Sequence, residues 1–262
     1  MSQYAFSKQQ IVGIIPAAGK GSRLAPYPCP KELYPIGYQD ILIDGKMQKR
    51  PKVISQYLVE NMVAAGANKL FIILGENKHE IMQYYGDGRR FGIDISYLYQ
   101  EKLNGMPFAV NLTHSWLNGE TILFGMPDTI IEPKDAFSQL LEFHNTQASD
   151  LTLGLFSTDN PAKFGMVELN GENQVKMIID KPASTSLKYM WGCACWSEAF
   201  SSMLNTYMST LTSLDQEVVL GDVFSFALRE NINVNGLVFD QGQYIDIGTV
   251  DELDAALKKF HL

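Results

Sequence analysis

The stretch Ile11-Val12-Gly13-Ile14-Ile15-Pro16-Ala17-Ala18-Gly19-Lys20-Gly21-Ser22-Arg23-Leu24 sets how the rest of the chain is read. Residues 11–15 form an apolar run of strand length, and small residues and glycines follow at once. A buried strand opening into a glycine-rich loop lets backbone N–H groups approach an anion closely. In open α/β sheets, ligands bind at the carboxyl ends of parallel strands. Two familiar phosphate loops do not fit the spacing. A dinucleotide fingerprint needs a third glycine where Leu24 stands. A P-loop needs its first glycine where Ile14 stands, and Gly21 follows Lys20 in place of Ser or Thr. What remains is a G-x-G-x-R-L-x-P loop followed by Pro30-Lys31. Arg23 and Lys31 bring two cations to it, which suits a polyphosphate.

Outward from this stretch, β-type runs alternate with helical patterns. Strands are predicted at 70–74, 93–99, 121–124 and 151–156, and helices at 53–65, 78–85, 108–117 and 135–147. This alternation predicts an α/β fold: a three-layer α/β/α, Rossmann-like arrangement around a mixed, mostly parallel sheet. Further on, 165–169 and 175–180 flank Asn170-Gly171-Glu172-Asn173, a hairpin signal that adds an antiparallel portion. A strand at 189–196, helices at 197–208 and 218–230 and a strand at 244–247 follow. Thr249 and Glu252 have capping-box spacing for a last helix. With no repeat or linker, one domain over 1–262 is the economical expectation, split into halves of about 10–130 and 131–262. Residues 40–50 read as an inserted surface hairpin.

Composition narrows the function classes. The 262 residues are 46% hydrophobic, 11% aromatic and 19% charged, which excludes disorder and fibrous repeats. No apolar run approaches the roughly 18 residues that span a bilayer, so no membrane partner is expected. Only Lys8 precedes the first apolar run and no small-residue cleavage site follows it, so no secretory leader is expected. With 21 basic and 29 acidic residues the net charge is −8, which disfavours a nucleic-acid partner. Three cysteines, Cys29, Cys193 and Cys195, make an odd count without C-x-x-C, so a reducing, cytoplasmic location is expected.

The segment from Ile14 to Pro26, with Pro30-Lys31-Glu32-Leu33 and Pro35, resembles the signature of the sugar-1-phosphate nucleotidyltransferases. Glucose-1-phosphate thymidylyltransferase and UDP-glucose pyrophosphorylase are its best-known members, and the Pro-Lys-Glu wording is closer to the latter. The likeness continues in order. Asp128, just past strand 121–124, and Asp246, in Asp246-Ile247-Gly248-Thr249, match the positions of the family's two metal-binding aspartates. The resemblance therefore implies Mg²⁺ on Asp128 and Asp246, and hard oxygen ligands suit that ion. Without it, Asp246 reads as an acidic residue favouring the N-terminus of the last helix. Phe164-Gly165-Met166-Val167-Glu168 resembles the family's Tyr-Gly-Val-Val-Glu sugar segment, with Phe164 lacking the tyrosine hydroxyl. Asp180-Lys181-Pro182 stands for Glu-Lys-Pro.

By the same resemblance, Arg23, Lys31, Asp128 and Lys181 are the expected catalytic residues. Ala17, Ala18, Gly19, Gly21, Gln100 and Gly105 are expected to bind the nucleotide, and Gly165, Glu168, Asp180 and Lys181 the sugar phosphate. The implied reaction joins a nucleoside triphosphate, with dTTP or UTP favoured, to a hexose-1-phosphate and releases pyrophosphate. Two alternatives stay open. One is a cytidylyltransferase acting on phosphocholine or another small phosphorylated acceptor, with Trp191 and Trp196 as an aromatic cage. The other is a catalytically silent sugar-nucleotide-binding protein. Relatives of this kind are often homo-oligomers, and that too stays open.

Overall fold

The computed structural model describes residues 10–26, 28–211 and 217–260. Lys8, on which the expectation about a leader turned, lies outside the described residues, as do the ends of the expected 1–262 domain. In chain order the elements are β1 (Ile11–Ala17), β2 (Pro35–Ile43), β3 (Lys46–Val53), α1 (Ile54–Ala64), β4 (Lys69–Leu74), α2 (His79–Tyr85), β5 (Asp94–Tyr99), α3 (Met106–Asn111), β6 (Thr121–Gly125) and β7 (Thr129–Glu132). The second half contributes α4 (Ala136–Thr146), β8 (Leu151–Ser157), β9 (Gly165–Leu169), β10 (Val175–Asp180), β11 (Tyr189–Trp196), α5 (Glu198–Thr210), α6 (Leu220–Arg229), β12 (Val234–Val238), β13 (Gln243–Asp246) and α7 (Val250–Phe260).

Nine strands form the central sheet. β1 lies between β4 and β6, with β5 beyond β4, and these four run parallel. β11 pairs antiparallel with β6 and with β8, and β12 runs parallel to β8 at the far edge. The β9–β10 hairpin joins through the first two residues of β11. The expected mostly parallel, three-layer arrangement is thus observed, with β10 and β11 as the reversed strands.

The pleat of β1 explains its unbroken apolar wording. Val12 and Ile14 face one core cluster with residues of α3, α5 and α6. Ile15 and Ala17 face the other, with residues of α1, α2 and α4. A strand covered on both faces reads as a continuous apolar run. A third, smaller cluster packs α7 against the base of β2, the start of α1, β7 and the turn after β13.

Four strands, β2, β3, β7 and β12, carry little sequence signal. β2 and β3 form a ribbon of which residues 40–50 are only the outer part. β7 and β13 pair only with each other, outside the main sheet. β12 contains Asn235 and Gly236, which β propensity disfavours, yet it pairs with β8 over its whole length. The helix expected over 108–117 is instead α3 followed by a separate 3₁₀ turn at His114–Trp116.

Candidate active site

The carboxyl ends of β1, β4, β5 and β6 open on one edge of the sheet. Three adjoining hollows lie along it, of about 620, 310 and 400 Å³. Lys31, on a single 3₁₀ turn (Lys31–Leu33), lines all three. Asp128 lines the second and third, and Asp246 the third.

The small ribbon is what brings the aspartates together. Asp246 of β13 sits opposite Thr129 of β7, and the Ile247 N–H donates to the Asp128 carbonyl at 3.1 Å. Thr129 Oγ1 donates to the Met126 carbonyl at 2.8 Å and fixes the turn leaving β6. Asp128 is buried and paired with the Lys31 ammonium. Burial pulls the Lys31 pKa down, but the charge and hydrogen bond of Asp128 outweigh it, and the net shift is upward. Burial raises the Asp246 pKa and the Asp128 charge adds to the rise, while Lys163 opposes it. The two carboxylates therefore feel each other across the third hollow.

Most of the residues singled out in the sequence meet here. Ala18, Gly21 and Gln100 line the largest hollow, and Ala18, Gly19 and Gly105 the second. Gln100 is buried, and its Nε2 donates to the Gly105 carbonyl at 3.2 Å. Gly105 has φ 120° and ψ 166°, a backbone region essentially restricted to glycine. A Cβ there would stand 2.1 Å from the Val218 carbonyl oxygen, because Gly105 and Val218 form a bridge that joins two walls of the site. Gly165, Asp180 and Lys181 line the third hollow, and Lys181 Nζ lies 3.4 Å from Asp180 Oδ2.

Four of the named residues stand apart from the rest. Ala17 lies at the end of β1 with its side chain buried in the core, and it lines none of the three hollows. Glu168 stands three residues from Gly165, so the pleat turns it to the other face of β9, and it lines none of them either. Arg23 lines the third hollow and neither of the other two, and a Cβ on Gly248 would stand 3.1 Å from its guanidinium Nη2. Trp196 is 1% exposed and packs in the core against Phe124 and Phe200, which removes it from any aromatic cage. Trp191 alone of that pair lines the third hollow.

Two lysines escaped the sequence reading. Lys163 lines the third hollow, with Nζ 2.6 Å from Asp246 Oδ2 and also on Glu252 Oε1. Its only signal was its place beside Phe164-Gly165. Lys78 borders the largest hollow and binds both oxygens of buried Glu32, at 3.0 and 2.7 Å. Burial pushes the Glu32 pKa up, against the pull of Lys78.

The donor chemistry suits a hard cation. Among the described residues no three His, Cys, Asp or Glu side chains group closely enough to cage a metal. Two carboxylates on one hollow, completed by substrate oxygens, are the sparse donor set that Mg²⁺ accepts.

Comparison with known proteins gives the family and the fold. The family model described as nucleotidyl transferase matches residues 12–261. A bifunctional protein GlmU from Methanococcus maripaludis is 28% identical over 90% of this chain and 51% of its own length. A glucose-1-phosphate thymidylyltransferase from Streptomyces griseus is 28% identical over 65% of this chain and 44% of its own. The chain thus spans about half the length of the curated relatives it matches. A UDP-glucose pyrophosphorylase structure complexed with UDP-glucose superposes with a TM-score of 0.77, at 18% identity, over 97% of this chain and 99% of that one. The chain belongs to the nucleotidyl transferase family.

Proposed function

We propose that this chain transfers a nucleoside monophosphate from a triphosphate, dTTP or UTP, to a hexose-1-phosphate, giving a nucleotide sugar and pyrophosphate. Residues 1–262 act as one catalytic domain in the cytoplasm. The observation that carries the proposal is the meeting of Asp128 and Asp246 where the nucleotide-side and acceptor-side hollows join.

An acceptor phosphate oxygen attacks the α-phosphate and pyrophosphate leaves. No covalent nucleophile is needed, so catalysis is positioning plus charge stabilisation. Lys31, common to all three hollows, faces the triphosphate, while Arg23 and Lys181 hold the acceptor phosphate. Mg²⁺, held by Asp128 and Asp246, supplies neutralisation of phosphate charge when bound. The loop Ala18-Gly19-Lys20-Gly21 gives backbone approach to the phosphates. Gln100 selects the base: with Nε2 held by Gly105, its Oε1 is the atom left to accept the N3–H of thymine or uracil.

Pyrophosphate release with Mg²⁺, each nucleoside triphosphate and a panel of phosphorylated acceptors tests this. Product with dTTP or UTP and a hexose-1-phosphate is expected. Product only with CTP and phosphocholine, or binding without turnover, would overturn it.

A further inference from the structure

We infer that Lys163 and a divalent cation compete for Asp246, and that Glu252 is the seat to which the Lys163 ammonium withdraws when the cation binds. The inference rests on the cation site proposed above and assigns two residues outside it. In this role Lys163 and Glu252 are positioning residues.

The geometry starts from one ammonium shared by two carboxylates. Lys163 Nζ lies 2.6 Å from Asp246 Oδ2 and also pairs with Glu252 Oε1. The Lys163, Asp246 and Glu252 side chains are only 17, 15 and 29% exposed, so water screens them weakly. A divalent cation arriving at Asp246 meets an ammonium already on that carboxylate. Two cations at hydrogen-bond range repel, so the lysine must leave or the cation is excluded.

Glu252 is built to receive it. Its second oxygen, Oε2, is buried and has no hydrogen-bond partner. A buried carboxylate oxygen left without a donor is costly, so the pair as it stands is half used. The completed form exists elsewhere in this chain, where Lys78 donates to both oxygens of Glu32 at 3.0 and 2.7 Å. A withdrawn Lys163 ammonium has the donors to do the same on Glu252.

The sequence position of Glu252 sharpens the assignment. Thr249-x-x-Glu252 has capping-box spacing, and Thr249 Oγ1 does accept from the Glu252 N–H, at 3.4 Å. The reciprocal half is absent, because the Glu252 carboxylate is turned to Lys163. The first turn of α7 therefore presents its third residue to the site.

Binding of Mn²⁺ alone, followed by the electron paramagnetic resonance signal of the free ion, tests this in the wild type, K163M, E252Q, the double variant K163M/E252Q and D246N. K163M is expected to tighten Mn²⁺ about fivefold, and E252Q to weaken it about fivefold by returning the ammonium to Asp246. In the K163M background, E252Q is expected to have less than about a twofold effect, since only the direct charge of Glu252 on Asp246 then remains. A merely structural role would weaken binding in both single variants, and that outcome overturns the proposal. So does an equal effect of E252Q with and without Lys163, which would make Glu252 a direct charge on the cation. Equal Mn²⁺ binding by wild type and D246N would instead remove the cation site itself, and the competition with it. Thermal melts of each variant separate these outcomes from a failure to fold.

Discussion

Replacing Gly105 with alanine probes the joint between the two walls of the site. The native residue has φ 120° and ψ 166°, which costs an L-residue about 1–3 kcal/mol. The new Cβ would stand 2.1 Å from the Val218 carbonyl oxygen. Opening that contact to an ordinary C···O separation of roughly 3.3 Å moves one wall by more than about 1 Å. The Val218 N–H donates to the Asn104 carbonyl at 3.2 Å, and that bond is lost or strained, for about another 1 kcal/mol. Together these give a destabilisation of about 2–4 kcal/mol, or a fall in Tm of roughly 5–15 °C for a chain of this size. Because the Gly105 carbonyl also holds Gln100 Nε2, and Val218 lines the third hollow, kcat/KM should fall about 100-fold. Calorimetry and pyrophosphate release measure both effects. Gly19→Ala is the matched control. A Cβ there meets nothing within 4 Å, so Tm should hold while the KM for triphosphate rises, if the loop approaches a ligand closely. A Gly105→Ala protein with unchanged Tm and unchanged kcat/KM would refute the close approach of these two walls.

Asp128→Asn removes one preorganised charge and leaves Lys31 without its anionic partner; turnover should fall roughly 10²–10³-fold, and near-wild-type turnover would sink its role. Lys181→Ala should raise the acceptor KM about 10–100-fold while leaving the triphosphate KM in place; equal loss of both would argue against a phosphate contact on the acceptor side. His144, buried on α4 with Nδ1 2.9 Å from Thr152 Oγ1, has its pKa lowered by burial to about 4. The unfolded chain takes up a proton near pH 6.5 that the folded chain refuses until about pH 4, so stability is lost as pH falls between those values. Denaturant titrations should show wild type losing about 2 kcal/mol between pH 6.5 and 5 relative to His144→Gln, and parallel pH profiles would refute this.

How much of the site was legible depended on whether local periodicity decides the residue's place. β1 and its loop were legible because an apolar run ending in small residues has one reading in an α/β chain. Asp128 was legible because it follows a buried strand directly. Glu168 was misplaced although its parity was available: three residues from Gly165 means opposite faces of β9. Arg23 and Lys163 were hard for a different reason. Long cationic side chains reach several ångströms, and tertiary neighbours choose which carboxylate or backbone they meet. Arg23 meets Gly248, and Lys163 meets Asp246, partners more than eighty residues away. β7 and β12 are short, and only their pairing with β13 and β8 makes them strands. Trp196 shows the converse case, an aromatic residue that one alternative offered for a cage and that fills the core.

The acidic balance of the chain has a local counterpart in the clefts. Lys31 is held by Asp128, Lys163 by Asp246 and Glu252, Lys78 by Glu32, and Lys181 lies beside Asp180. These four ammonium groups at the clefts thus already have carboxylate partners. On the proposed reading, phosphate oxygens must displace carboxylates from Lys31 and Lys181, and each displacement leaves a carboxylate needing positive charge. The same holds in reverse: a cation taken up by Asp128 and Asp246 frees the Lys31 ammonium for phosphate, while that of Lys163 withdraws to Glu252. Cation and polyphosphate therefore favour each other's binding through the exchange of partners, and linkage makes that coupling equal in both directions. Mn²⁺ affinity should rise in the presence of inorganic pyrophosphate by more than the ion's own affinity for pyrophosphate accounts for. The excess should vanish in Lys31→Met, where no ammonium holds Asp128. An excess unchanged in that variant would mean the lysine pairs are structural and take no part in the exchange.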